Sequence, residues 1–174
     1  QSYQRHLLQV QLVDNLLGVL TDHLKAIGLY DRVLLIVMGD HGCSFRPQDS
    51  RRRLTRSNWI DIMAVPLFIK SPSQKEGRIV DENMEGIDIL PTVAEILKTN
   101  MPWNVDGRSI AALVANPKPQ KVFVNEGGER FTFTPSMKVL ADAVKQKINL
   151  FGAGDQENQL FKIGSYGRLV GQRL

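Results

Sequence analysis

Asp40 and His41 stand side by side between Gly39 and Gly42, directly after the apolar run Val33 to Met38. A carboxylate is a hard metal ligand and an imidazole a borderline one, and flanking glycines let other groups approach closely. A short, continuous, β-branched apolar run suits a strand buried in a parallel sheet. In open α/β sheets, ligands bind in the crevice beyond the carboxyl ends of the strands. The pair therefore reads as a metal-type site at a strand end. The plainer reading is a cap and a polar turn residue.

A cationic stretch follows, with Arg46, Arg51, Arg52, Arg53 and Arg56 inside eleven positions and no helical or strand period. It reads as a long loop, with one helical turn near Trp59 to Ile62. A long loop beside a candidate site is more often functional than decorative. Arg46 and the Arg51–Arg53 cluster are candidates for clamping an anionic group, because guanidinium forks match oxyanion geometry. A solvated basic loop is the bland alternative. Cys43 lies next to the motif, but no histidine follows His41 to act as its base, so it reads as a small turn residue. His6 and His23 read as surface residues of a helix, with no ligand partner at i+4.

The elements that must position these residues follow from periodicity. Leu7, Leu8, Val10, Leu12, Val13, Leu16, Leu17, Leu20, Leu24 and Ile27 recur mostly at three- and four-residue steps, which predicts one helix from about residue 3 to 27. Gly28 supplies its stop. Strands are expected at 32–38 and 65–70, with Pro66 tolerated near the start of the second. Short strands are expected at 121–124 and 130–134, and a weaker one at 78–80. Helices are expected at 88–97, with Pro91 in the first turn, and at 109–114. Residues 139–150 fit a helix or a strand, and Leu160 to Gly164 one more strand or turn. The fold class is α/β: a partial, mainly parallel sheet flanked by helices, with a small antiparallel C-terminal portion. The expected division is 1–115 and 116–174.

The bulk numbers exclude little but bound the answer. With 174 residues, 43% hydrophobic and 23% charged, the chain suits one well-packed soluble domain. A net charge of +4 without a basic stripe interleaved with aromatics gives no support to nucleic-acid binding and suits an anionic substrate or surface. One cysteine excludes an intrachain disulfide. The N-terminal residues carry no signal-peptide layout, and no stretch is apolar enough for a spanning helix. The abrupt start reads as a piece of a longer protein.

Five segments in order resemble the C-terminal part of the sulfatase / alkaline-phosphatase superfamily, in the manner of bacterial membrane-associated hydrolases. They are Gly28-Leu29-Tyr30-Asp31, Val33 to Gly42, Val65 to Lys70, Asp88-Ile89-Leu90-Pro91-Thr92 and Asp106-Gly107-Arg108-Ser109. The resemblance covers residues 3 to about 112. It implies that Asp40 and His41 ligate one divalent metal, and that the reaction is displacement at a sulfate or phosphate ester. It places the nucleophile and further ligands upstream, so no catalytic residue is assigned within this chain. The lack of a histidine after His41 departs from two-metal members and favours a single-metal site. His41, where many sulfatases carry asparagine, tilts the metal from calcium toward manganese or zinc.

The resulting expectation is a piece of a sulfuric-ester hydrolase, with metal binding weak or absent in this chain alone. A phosphotransferase or phosphoesterase of the lipoteichoic-acid-synthase type is the alternative, and a catalytically silent interaction module is a third. A homodimer through an exposed sheet surface is expected as a partner. The resemblance implies a membrane-anchored parent with an extracytoplasmic domain.

Overall fold

The computed structural model describes residues 2–46, 48–134 and 136–151. The expectation at Leu160 to Gly164 lies outside the described residues. The chain forms two compact units that interleave along the sequence. Among the described residues, the first comprises 2–31, 38–46, 48–67 and 136–151, the second 32–37 and 68–134.

In the first unit, helix α1 spans Ser2–Ala26. Its end is built as the sequence implies: Gly28 adopts φ 71°, and the N–H groups of Leu29 and Tyr30 return to the Leu24 carbonyl at 2.9 and 3.0 Å. A left-handed glycine lets following N–H groups satisfy the last helical carbonyls. The apolar row on α1 is solvent-facing, with Leu8, Leu12, Leu16 and Val19 all exposed. Helix α2 spans Trp59–Met63, and helix α5, Met137–Phe151, packs against it. The ambiguity at 139–150 thus resolves to helix. Among the described residues of this unit, Leu54, Ile62 and Ala143 are the buried apolar ones, beside buried Ser44, Asn58 and Asp61.

Strand β1, Leu35–Met38, pairs with β2, Leu67–Lys70, in a two-stranded sheet. Both are shorter than the apolar runs that predict them. Their motif-side residues, Met38 and Leu67, belong to the first unit. In the second unit, Lys70 Nζ donates to the Val33 carbonyl at 3.2 Å, closing the start of the β1 segment.

A 3-10 turn at Gly86–Asp88 leads into helix α3, Ile89–Leu97, and helix α4 spans Ile110–Ala115. Strands β3, Lys121–Val124, and β4, Arg130–Phe133, form the expected antiparallel hairpin, with Phe123 opposite Phe131. β4 alternates as its sequence does: Phe131 is buried while Arg130 and Thr132 are exposed. Residues 78–80 form no strand, and Ile79 is 92% exposed. An isolated three-residue alternation has no partner strand to bury one face, so it stays loop.

Two of the segments that carry the resemblance meet here through hydrogen bonds. Asp88 is fully buried, and its carboxylate accepts from the N–H groups of Glu85 and Arg108, both at 2.8 Å, and from Lys118 Nζ at 2.9 and 3.0 Å. Thr92 Oγ1 donates to the Asp88 carbonyl at 2.7 Å and accepts from Ile110 N–H at 3.0 Å. Gly107 packs so tightly on the Ile87 carbonyl that a Cβ there would overlap it. Asp88, Thr92 and Gly107 thus join the starts of α3 and α4; their task is structural.

Candidate active-site cleft

The motif loop is held by backbone contacts to the segment around α2. Gly39 N–H donates to the Pro66 carbonyl at 3.2 Å and Gly42 N–H to that of Ile62 at 2.6 Å. A Cβ on Gly42 would overlap the Asp61 carbonyl oxygen, so only glycine allows this approach. Between these two anchors the Asp40 and His41 side chains project outward.

Their geometry suits ligation. Asp40 Oδ1 accepts from the His41 N–H at 2.8 Å. That bond, then the His41 ring and more distantly Arg52, hold the Asp40 carboxyl below its ordinary value of 3.8. His41 Nδ1 lies 2.8 Å from the Gly42 carbonyl, which can only accept, so in the neutral ring Nδ1 carries the proton. Nε2 keeps its lone pair, 3.8 Å from Asp40 Oδ2. A backbone carbonyl that fixes the tautomer in this way is the usual support of a ligating histidine. These two donors fit two corners of a metal site. Among the described residues, no group of three or more His, Cys, Asp or Glu converges as a metal cage.

The arginine loop is ordered by buried polar groups. Asn58, fully buried, donates through Nδ2 to the carbonyls of Ser50 and Arg53, both at 3.0 Å, and accepts from Thr55 N–H at 2.8 Å. Ser44 N–H donates to the Arg51 carbonyl at 3.0 Å. These bonds seat Arg51 and Arg52 beside His41 in one cleft of about 510 Å³, together with Gly42, Cys43, Phe45, Ser50 and, from α1, His6 and Gln9.

The candidate arginines separate. Arg51 and Arg52 are exposed and line the cleft. Arg46 does not: its Nε donates to Asp61 Oδ2 at 2.7 Å and its Nη1 to the Ser57 carbonyl at 3.1 Å. Asp61 is buried, and its other oxygen takes Lys147 Nζ from α5 at 2.9 Å. A buried carboxylate needs paired cations, and Arg46 is one of them. Arg53 is exposed and stands outside the lining. Cys43 is half-buried in the cleft wall, its Sγ 3.8 Å from the Ser44 carbonyl.

His6, Gln9, Phe45 and Ser50 line the cleft without a site reading from sequence. Phe45 is isolated in a polar loop. His6 could have been found by spacing: Tyr3, His6 and Gln9 recur at i, i+3, i+6 along one side of α1.

The family profile described as Sulfatase matches residues 1–99, more than half of the 174. The chain is 26% identical over 122 residues to an ulvan-active sulfatase of Formosa agariphila, covering 69% of this chain and 23% of that protein. It is 29% identical over 127 residues to an endo-4-O-sulfatase of Bacteroides thetaiotaomicron, covering 70% and 24% respectively. The fold is similar to that of a phosphonate monoester hydrolase from Silicibacter pomeroyi, with a TM-score of 0.56 and 30% identity over 63% of this chain and 22% of that one. The chain thus spans under a quarter of the length of these relatives. The motif at the end of β1, the segments gathered around Asp88 and these matches together place the chain in the sulfatase family, within the alkaline-phosphatase superfamily.

Proposed function

We propose that this chain contributes two metal ligands, Asp40 and His41, and two anion-binding side chains, Arg51 and Arg52, to a metal-dependent sulfuric-ester hydrolase. The observation that carries the proposal is that His41, with Asp40 beside it in the chain, lines one cleft with Arg51 and Arg52. Arg51 and Arg52 orient the ester and offset charge on its oxyanion. His41 presents Nε2 because Gly42 holds the proton on Nδ1. Asp40 stays ionised. A divalent manganese, zinc or calcium ion, once bound, supplies Lewis-acid activation of nucleophile and ester. The nucleophile and remaining ligands belong to other parts of the intact enzyme.

A phosphate-directed reading is favoured by one observation, the similarity to a phosphonate monoester hydrolase. Sulfate and phosphate monoesters present the same tetrahedral oxyanion to Arg51 and Arg52. An extracytoplasmic, membrane-anchored setting is a further part of the proposal, carried by the family resemblance. Among the described residues no helix is long and apolar enough to cross a membrane.

The test compares 4-nitrophenyl sulfate with 4-nitrophenyl phosphate in the intact enzyme with each metal added. Asp40→Ala and His41→Ala are expected to lower kcat/KM by at least about 100-fold with reduced metal content. Retained activity with full metal content refutes the ligand assignment. Turnover of the phosphate alone selects the second reading.

A further inference from the structure

We infer that Asp61 is the positioning residue of the cleft wall and that Lys147 of helix α5 completes it, so that α5 fixes the backbone from which His41 and Arg51 act. The inference rests on the proposed roles of His41 and Arg51 and adds what holds them in place.

The segment from Gly42 to Arg46 follows the motif directly, and its Gly42, Cys43 and Phe45 line the cleft. Both ends of this segment meet Asp61. At the first, the Gly42 backbone presses on the Asp61 carbonyl, and its N–H donates to the carbonyl of the next residue, Ile62, at 2.6 Å. At the second, Arg46 Nε donates to Asp61 Oδ2 at 2.7 Å. From the middle, Ser44 N–H donates to the Arg51 carbonyl at 3.0 Å. One residue thus ties down both ends of a wall whose centre holds the backbone of an anion-binding arginine.

Asp61 must itself be held for this to work. It lies on α2, which has five residues and no side-chain cap from Asn58. A helix of that length is not stable by itself and takes its place from tertiary contacts. The Asp61 side chain is 2% exposed, and each of its oxygens takes one cation, Oδ2 from Arg46 and Oδ1 from Lys147 Nζ at 2.9 Å. A guanidinium can take both oxygens of a carboxylate by itself. Here Arg46 Nη1 donates instead to the Ser57 carbonyl at 3.1 Å, and Lys147 fills the second carboxylate oxygen. Lys147 therefore leaves Arg46 free to bridge Asp61 to the far arm of the arginine loop. Desolvation offsets most of the attraction in a buried ion pair, so net stability alone does not explain the triad, whereas selection of one arrangement does.

The experiment uses the 174-residue chain with two readouts, amide hydrogen exchange and titration with inorganic sulfate. Lys147→Met keeps the aliphatic stem and removes the charge. In it, exchange at Gly42 and Ser44 is expected to quicken by about tenfold or more, while Ile110 and Leu113 in the second unit keep their rates. Sulfate affinity is expected to fall about fivefold, the scale of ordering one long side chain. Lys147→Arg restores both to within about twofold. Ala143→Gly is the control: it weakens α5 at a buried residue other than the triad, so the urea midpoint falls while sulfate affinity holds. Asp61→Asn is expected to exceed Lys147→Met in both readouts. If its near-UV dichroism shows a lost fold, the two Lys147 variants decide.

Unchanged exchange at Gly42 and Ser44 in Lys147→Met overturns the inference. So does failure of Lys147→Arg to restore it. An Ala143→Gly variant that weakens sulfate as much as Lys147→Met reduces the triad to a structural role and overturns it too. The double variant Arg51→Ala/Arg52→Ala separates these outcomes from failure of the anion reading. If it leaves sulfate binding intact, or the unsubstituted chain binds no sulfate, the anion reading fails, and exchange at Gly42 and Ser44 still decides whether Lys147 holds the wall.

Discussion

Ser44 donates its backbone N–H to the carbonyl oxygen of Arg51 at 3.0 Å. This bond joins the residues just after Asp40-His41 to the arginine loop. The Ser44 side chain is fully buried, and its Oγ accepts from Arg46 N–H at 3.4 Å. Asp49, in turn, accepts from Ser57 Oγ at 3.0 Å. A loop whose sequence shows no period is therefore held by hydrogen bonds within itself, which lets Arg51 and Arg52 act from a defined backbone.

Asn58 is the centre of that order, and its removal is the sharpest test of it. Asn58→Ala leaves the carbonyls of Ser50 and Arg53 and the N–H of Thr55 without their partner. Each lost bond strands a poorly solvated polar group, so the expected loss is about 2–4 kcal/mol. A urea midpoint shift measures it, and sulfate affinity falls with it. Ser57→Ala, at an exposed neighbour, is expected to cost under about 1 kcal/mol.

Glycine substitutions are expected to differ in sign. Gly42→Ala drives a Cβ into the Asp61 carbonyl and forces the motif off its anchor, for about 1–3 kcal/mol of destabilisation. Gly18→Ala lies within α1 with nothing within 4 Å of the new Cβ, and should stabilise by about 0.5–1 kcal/mol. Thermal denaturation of the two variants side by side reads both. A destabilising Gly18→Ala, or a neutral Gly42→Ala, contradicts the described backbone.

Asp88 and Lys118 set the pH limits of the second unit. Burial alone would raise the Asp88 carboxyl, but the Arg108 N–H, Lys118 and the Glu85 N–H outweigh it and hold the group below 3.8. Its contribution to stability is thus full above about pH 3.8 and lost as pH falls through the lower folded value. For Lys118, burial lowers the ammonium, and the bonds to Glu85 and Asp88 more than reverse this, leaving it above 10.5. Its contribution is present below about pH 10.5 and lost as pH rises beyond. Urea midpoints against pH should show Asp88→Asn flattening the acid limb and Lys118→Met the alkaline one. Unchanged limbs refute the pairing.

The apolar row of α1 bears on self-association. Leu8, Leu12 and Leu16 fall on one face at four-residue steps, and each is at least 58% exposed. Exposed apolar surface of this kind promotes association. Light scattering across a concentration series should show this chain associating through that helix, and Leu12→Lys/Leu16→Lys should keep it monomeric. Association unaffected by the double variant points instead to the exposed Met38 and Phe68 of the strand pair.

Much of this protein was legible in the sequence because it depends on near neighbours. The period of the α1 leucines, the stop at Gly28, Pro91 in the first turn of α3 and the alternation of Arg130 to Phe133 are local rules, and the structure follows them. Asp40-His41 at a strand end could be read for the same reason. Only the tertiary structure decided which cations face the cleft. Arg46 and Arg51 look alike in sequence, but a buried carboxylate fifteen residues from Arg46 needs a partner and takes it. The convergence of His6 and Phe45 and the joining of Asp88 to Arg108 likewise depend on residues far apart in the chain, while the task of Asn58 depends on burial inside a loop without a period. Such pairings are settled by the cost of burying unpaired polar groups and by packing, and neither leaves a local signature in the order of residues.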